Sequence, residues 1–271
     1  MSKSISQRIA EELAVKESQI SAAIGLLDEG ATVPFISRYR KEVTGGLDDT
    51  QMRHLDERLR YLRELDERRL AILKSIAEQD KLTPALEQAL READTKNRLE
   101  DLYLPYKPKR RTKAQIALEA GLEPLADALV TDPQQDPEQL AGAYLNPDNG
   151  IEDTKAALDG ARQILMERFA EDADLLARLR TFLQENAQLA ARLVPGKESE
   201  GAKFRDYFEH TEALATTPSH RALAMFRGRN EGFLQLNLLL DPDEKPGDAH
   251  PCEAMIADYW SIRDAGRAAD R

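Results

Sequence analysis

A single cysteine, Cys252, stands in this chain, so no internal disulfide can form, a usage that fits a reducing compartment. Long apolar runs are missing too. The longest, "FLQLNLLL" at 233–240, falls far short of the ~20 residues a membrane helix needs. The opening "MSKSISQRIAEEL" lacks the apolar stretch of a signal peptide. These absences predict a cytoplasmic protein with no membrane contact. Histidine is scarce: His54, His210, His220 and His250 share no paired spacing on one helix, and His250 with Cys252 has no further ligand nearby, which argues against zinc. No G-x-S-x-G, H-E-x-x-H or P-loop occurs. With 49 carboxylates in the chain, the closeness of any two carries no information. We therefore expect no enzyme, no metal and no cofactor.

What is abundant points to helices. Of the 271 residues 41% are apolar and 32% charged, rich in Ala, Leu, Glu and Arg, a composition that predicts a mainly α, multi-helix fold with a sizeable core. The net charge of −11 opposes indiscriminate binding to polyanions, so any contact with RNA or DNA must be local.

Helix ends are legible along the first hundred residues. Ser4 with Gln7 forms a capping signature ahead of Ile5, Ile9 and Leu13 on one face, and Gly30 closes a stripe of Ile20, Ile24 and Leu27. Pro34 suits a first turn, Phe35 and Tyr39 lie one turn apart, and Gly45 and Gly46 stop that helix. From Leu47 to Gln79 no Gly or Pro interrupts, which predicts a long central helix of about 28 residues, roughly 42 Å. Its stripe reads Met52, Leu55, Leu59, Leu62, then Leu70, Leu73 and Ile76, with Arg53–Glu57, Asp56–Arg60 and Glu64–Arg68 as charge pairs four apart. Thr83 and Pro84 start another helix.

Thr112, Gly121 and "EPLADALV" outline a helix-turn-helix-like segment at 112–130. Glu119, Glu123 and Asp127 stand where a base-reading helix would carry Arg, Lys, Asn or Gln, so we expect this segment to pack instead of reading bases. Leu158, Ala161, Leu165 and Phe169, then Leu176, Leu179 and Leu183, predict two further helices. The loop "VPGKESEG" at 194–201 is the expected boundary between a helical domain, 1–195, and a helix–strand–helix connector, 196–271. In the connector, Gly228 is expected to end the helix "SHRALAMFR". Alternation over 233–240 predicts one short β-strand with no convincing partner in the chain. A last helix restarts near Pro251 and runs into a polar end, "GRAADR".

Charge is unevenly spread. "YLPYKPKRRTK" at 103–113 packs Lys107, Lys109, Arg110, Arg111 and Lys113 into seven residues, and no carboxylate falls between Leu102 and Leu118. Pro105 and Pro108 force an extended or irregular path there. These five cations, with Tyr106 as a stacking ring, are the candidate nucleic-acid-binding residues: ammonium and guanidinium groups neutralise phosphates and release counterions. The competing reading is a solvated linker whose cations meet acidic helices of the same molecule or a domain outside this chain. Arg38, Arg40 and Lys41 in "SRYRKE" fall on more than one helix face, and ion pairing with the chain's own carboxylates is the favoured reading for them.

The blocks "ATVPFISRYRKEVTGGLDDTQMRHLDERLRYLRELDERR" (31–69), "ADTKNRLEDLYLPYKPKRRTKAQIALEAGLEPLADAL" (93–129), "ILMERFAEDADLL" (164–176) and "GAKFRDYFEHTEALATTPSHRALAMFRGRNEG" (201–232) resemble the N-terminal portion of the Tex family of bacterial transcription accessory proteins. The resemblance covers nearly the whole chain. It implies a mostly helical, cytoplasmic, nucleic-acid-binding protein, akin to the core of a eukaryotic elongation factor that travels with RNA polymerase II. It also implies that a catalytically silent RNase H-like domain, a helix-hairpin-helix module and an S1 domain belong downstream, with most RNA or DNA binding attributed to them. On this footing the chain is expected to be an N-terminal helical scaffold with auxiliary, weak, phosphate-mediated binding of RNA or DNA. The alternative is a protein-interaction module that docks on the transcription machinery with no nucleic-acid binding of its own. Oligomeric state is not encoded in any of these patterns.

Overall fold

Helices begin where the sequence offers caps. The computed structural model describes residues 3–240, 250–263 and 266, and the chain forms two compact units, Met1–Lys107 and Pro108–Arg271. The first unit runs through α1 (Ile5–Leu13), α2 (Glu17–Asp28), α3 (Val33–Tyr39), α4 (Asp49–Ala77), α5 (Pro84–Glu92) and α6 (Lys96–Tyr103), ending in a 3-10 turn at Leu104–Tyr106. Ser4 Oγ accepts the Gln7 N–H at 3.1 Å while Gln7 Oε1 accepts the Ser4 N–H at 3.0 Å, the expected reciprocal cap. Asp48 and Gln51 repeat that geometry at the start of α4, at 2.8 and 3.0 Å.

The 29 residues of α4 span roughly 43 Å, and α1, α2, α3, α5 and α6 pack along them. Its buried face is Met52, Leu55, Leu59, Leu62, Leu65, Ile72, Leu73 and Ile76. Leu70, expected in that stripe, is 66% exposed. The helical period after Leu65 passes through position 69, where the Arg69 side chain is only 12% exposed and donates to the carbonyls of Leu90 (3.0 Å) and Ala93 (2.7 Å). A cation thus sits in the stripe because it satisfies the last carbonyls of α5, which no helical hydrogen bond reaches. The expected charge pairs also change. Asp56 and Arg60 pair, but Arg53 takes Asp49, Glu64 takes Lys96, and Arg68 grips Glu100 at 2.5 and 3.0 Å. For Arg68 a bidentate partner on α6 replaces the same-helix Glu64, because a planar guanidinium meets a carboxylate best with both oxygens engaged.

In the second unit α7 (Lys113–Glu119) and α8 (Glu123–Thr131) meet at a turn where Gly121 has φ 84°, and α9 is Pro137–Ala141. All three pack on α10 (Thr154–Ala170), burying Ala114, Ala117, Leu122, Leu125, Ala126, Ala157, Ala161 and Ile164. The contact is close enough that a Cβ on Gly160 would collide with Leu122 Cδ1. α11 (Ala173–Asn186) then leads into a three-stranded antiparallel sheet.

The strand at 233–240 has a partner after all. β1 (Gln188–Leu193), β2 (Glu209–Ala213) and β3 (Leu234–Leu239) lie in the order β2-β1-β3, with Gln188 opposite both Ala213 and Leu239. β1, "QLAARL", is built from strong helix formers and directly follows a helix, so propensity hides it. Central pairing and burial of Leu189, Ala190 and Ala191 decide its conformation. The 194–201 loop lies between β1 and β2 of this one sheet. α12 (Ser219–Asn230) continues through Gly228 instead of ending there. That glycine is buried against β3, where an added Cβ would lie 2.9 Å from Leu234 Cγ and 3.3 Å from Phe204 Cδ1, and Gly232, at φ 78°, makes the turn. α13 (Pro251–Tyr259) packs on α11, with the Tyr259 hydroxyl 3.0 Å from Asp172 Oδ1; most of the polar end lies outside the described residues.

Candidate nucleic-acid interface

The basic segment is shaped by its prolines. Leu104–Tyr106 forms a 3-10 turn, after which Lys107 is extended at ψ 129°. Tyr106 packs on the core of the first unit and its carbonyl accepts from Gln79 Nε2 at 2.9 Å. Its ring is therefore partly committed to packing.

The five cations divide into two classes. Lys109 Nζ is held by Glu167 at 2.8 Å and by Glu171, one turn apart near the end of α10. Burial opposes its charge, yet the hydrogen bonds from both carboxylates outweigh that and hold the ammonium above its ordinary pKa. Burial likewise works against Glu167, but its bonds to Lys109 and Thr112 win and lower its carboxyl. Arg111 pairs with Glu119 at 2.5 Å, and that bond, helped by Gln115, depresses the Glu119 pKa. Lys107, Arg110 and Lys113 are exposed and, among the described residues, have no carboxylate within 4.0 Å. A phosphate meeting any one of them displaces no carboxylate among the described residues.

The acidic residues of the helix-turn-helix-like segment serve the unit's own cations. Arg168 of α10 lies 2.7 Å from Asp127 and 3.7 Å from Glu123, and Glu119 holds Arg111.

A second cationic cluster lies on the first unit. Arg38, Arg40 and Lys41 are exposed and, contrary to the ion pairing expected, none has a carboxylate within 4.0 Å among the described residues. They follow α3 around its C-terminal end, beside the exposed rings of Phe35 and Tyr39. The missed signal was local: the only carboxylate from Thr32 to Leu47 is Glu42.

On the sheet, His210 Nε2 lies 3.2 Å from Glu212 Oε1 without hydrogen-bond alignment, and Arg221 Nη2 lies 3.0 Å from Glu212 Oε2. Among the described residues no three His, Cys, Asp or Glu side chains converge as a metal site, and no helix is long and apolar enough to cross a membrane.

Two family models match the chain: Tex-like protein N-terminal domain over residues 3–77, and Tex central region-like over 132–271. The chain belongs to the Tex family. It is 63% identical over 265 residues to Protein YhgF of Escherichia coli (strain K12), covering 97% of this chain and 34% of that protein. To Transcriptional accessory protein Tex of Neisseria gonorrhoeae it is 59% identical over 261 residues, 96% of this chain and 34% of the relative. A more distant relative, S1 RNA-binding domain-containing protein 1 of Homo sapiens, is 27% identical over 271 residues, 96% of this chain and 26% of that protein. The chain thus spans about a third of the length of the curated bacterial relatives it matches. The first Tex match covers α1 to α4, the second begins just after α8, and the basic segment falls in the interval between the two.

Proposed function

We propose that this chain is a helical scaffold module of a Tex-like transcription accessory protein, working in the cytoplasm and adding an auxiliary phosphate contact with RNA or DNA. The observation that carries the reading is the trio Lys107, Arg110 and Lys113: exposed, unpaired among the described residues, and kept on one short segment by covalent spacing in a chain of net charge −11. Such cations gain by replacing condensed counterions on a phosphate backbone, a term that is independent of sequence and falls with salt. The relatives' printed names, a transcriptional accessory protein and an S1 RNA-binding domain protein, support the same assignment. The role is binding and positioning, with no chemistry of its own.

The test is fluorescence anisotropy of labelled single-stranded RNA and duplex DNA across a salt series. Wild type should bind weakly, with affinity falling linearly in log salt. Changing Lys107, Arg110 and Lys113 to Gln should lower the slope on single strands by about 2, at ~0.7 per phosphate contact. An unchanged slope overturns the reading. A second reading, docking on a protein of the transcription machinery, is favoured by α12, where Leu223 is 70% exposed and Phe226 lies one turn away, also exposed. Salt-tolerant capture lost on Leu223→Asp, with no nucleic-acid binding, would select it.

A further inference from the structure

We infer that the end of α3 and the turn after it form a second nucleic-acid contact, a stacking platform for an unpaired base flanked by phosphate-binding cations. Tyr39 is 64% exposed, and its ring lies 5.5 Å from that of Phe35, tilted by 45°. The Arg40 guanidinium carbon sits 5.6 Å from the Phe35 centroid, so one ring already carries a cation while Tyr39 offers its surface to solvent. A solvent-facing tyrosine beside arginines matches the recognition of single strands, where every base has a π-face and the backbone follows nearby positive charge. Duplexes keep their base faces stacked inside and cannot use such a ring.

Charge complementarity supplies the second argument. Several other arginines of the first unit are occupied: Arg53, Arg58, Arg63 and Arg68 each hold a carboxylate at 2.9 Å or less. Among the described residues Arg38, Arg40 and Lys41 hold none, and Glu42 is the sole carboxylate of the stretch from Thr32 to Leu47. Leaving three cations together unpaired in an acidic protein costs mutual repulsion, which a bound polyanion removes.

The platform is held in place. Thr44 is fully buried, its hydroxyl 3.4 and 3.3 Å from the carbonyls of Arg40 and Lys41. Gln19 Nε2 donates to Gly45 O at 2.8 Å and to Thr44 O at 3.3 Å, tying the turn to α2. Gly45 and Gly46 take φ of 59° and 92°, backbone that side chains rarely adopt. A rigid support keeps the aromatic and the cations from losing much conformational freedom on binding.

This contact uses none of the 107–113 residues and stands or falls separately from them. The experiment is anisotropy with labelled oligouridylate, oligothymidylate and a duplex DNA of equal length, using the whole chain in wild-type form, as Tyr39→Ala, Tyr39→Trp and Arg38→Gln/Arg40→Gln/Lys41→Gln, each with and without the Lys107/Arg110/Lys113 substitutions. Tyr39 is exposed, so unchanged circular dichroism and melting are expected for its variants. Tyr39→Ala should weaken both single strands about tenfold, the loss of one base stack, and leave the duplex unchanged; Tyr39→Trp should restore binding. The Arg38/Arg40/Lys41 variant should lower the single-strand salt slope by about 2. Equal losses on duplex and single strand, or none on either, overturn the proposal, as does an absence of binding by every form. Tyr39-dependent binding of polyglutamate that displaces the oligonucleotide would assign the surface to an acidic protein and also overturn it.

Discussion

Arg58 of α4 and Glu12 of α1 meet in a two-pronged pair, Nε and Nη2 each 2.6 Å from a carboxylate oxygen, with the guanidinium also over the Tyr61 ring at 5.0 Å. The hydrogen bond from Arg58 holds the Glu12 pKa below the ordinary carboxylate value, and Arg68 does the same for Glu100. A lowered folded-state pKa contributes stability that is present above the unfolded value, about 4.3 for Glu, and is lost as pH falls through the folded value. Glu12→Gln/Glu100→Gln should therefore melt below wild type at about pH 7, the gap closing as pH falls below about 4.3 through the folded-state values. Thermal melts by circular dichroism across that range check this; a gap that stays constant with pH contradicts it.

Position along α4 decides what a leucine is worth. Leu65 is fully buried and Leu70 projects into solvent, though both are apolar residues of one helix. Leu65→Ala should cost about 2–5 kcal/mol through lost contacts and a residual cavity. Leu70→Ala should stay within about 0.5 kcal/mol of wild type. Urea unfolding of the two variants separates them.

Gly228 is a packing glycine. An alanine there would press into Leu234 and Phe204, a clash that outweighs the ~1 kcal/mol or less that Gly→Ala propensity gains in a helix. We expect Gly228→Ala to destabilise by about 1–3 kcal/mol, the range for overpacking, as read by chemical unfolding. A stabilised variant would mean that α12 moves freely over the sheet.

Lys109 stabilises the second unit from within. Removing it leaves Glu167 and Glu171, one turn apart at the end of α10, without their shared cation. Lys109→Gln should lower stability by about 1 kcal/mol and leave the salt dependence of nucleic-acid binding near wild type. Lys107, Arg110 and Lys113 substitutions should behave in the opposite way. Paired melting and anisotropy measurements on the two variants test the division.

The local sequence determined the helices, because their signals are carried within one turn: Ser4 with Gln7, Asp48 at the head of α4, and Thr83 before Pro84 each satisfy backbone groups a few residues away. It also marked the basic segment, since charge density needs no fold to be seen. Tertiary structure alone decided where non-local partners compete. Arg69 is half-buried in the stripe because the carbonyls at the end of α5 require a donor, and "QLAARL" is a strand because two neighbours pair with it despite its helix-forming residues. The same competition divided the cations. Lys109 found Glu167 some sixty positions along the chain, while Arg38, Arg40 and Lys41, surrounded by the same overall excess of acid, found no carboxylate among the described residues. An ion pair is fixed by distances between side chains, and those distances exist only once the helices have packed.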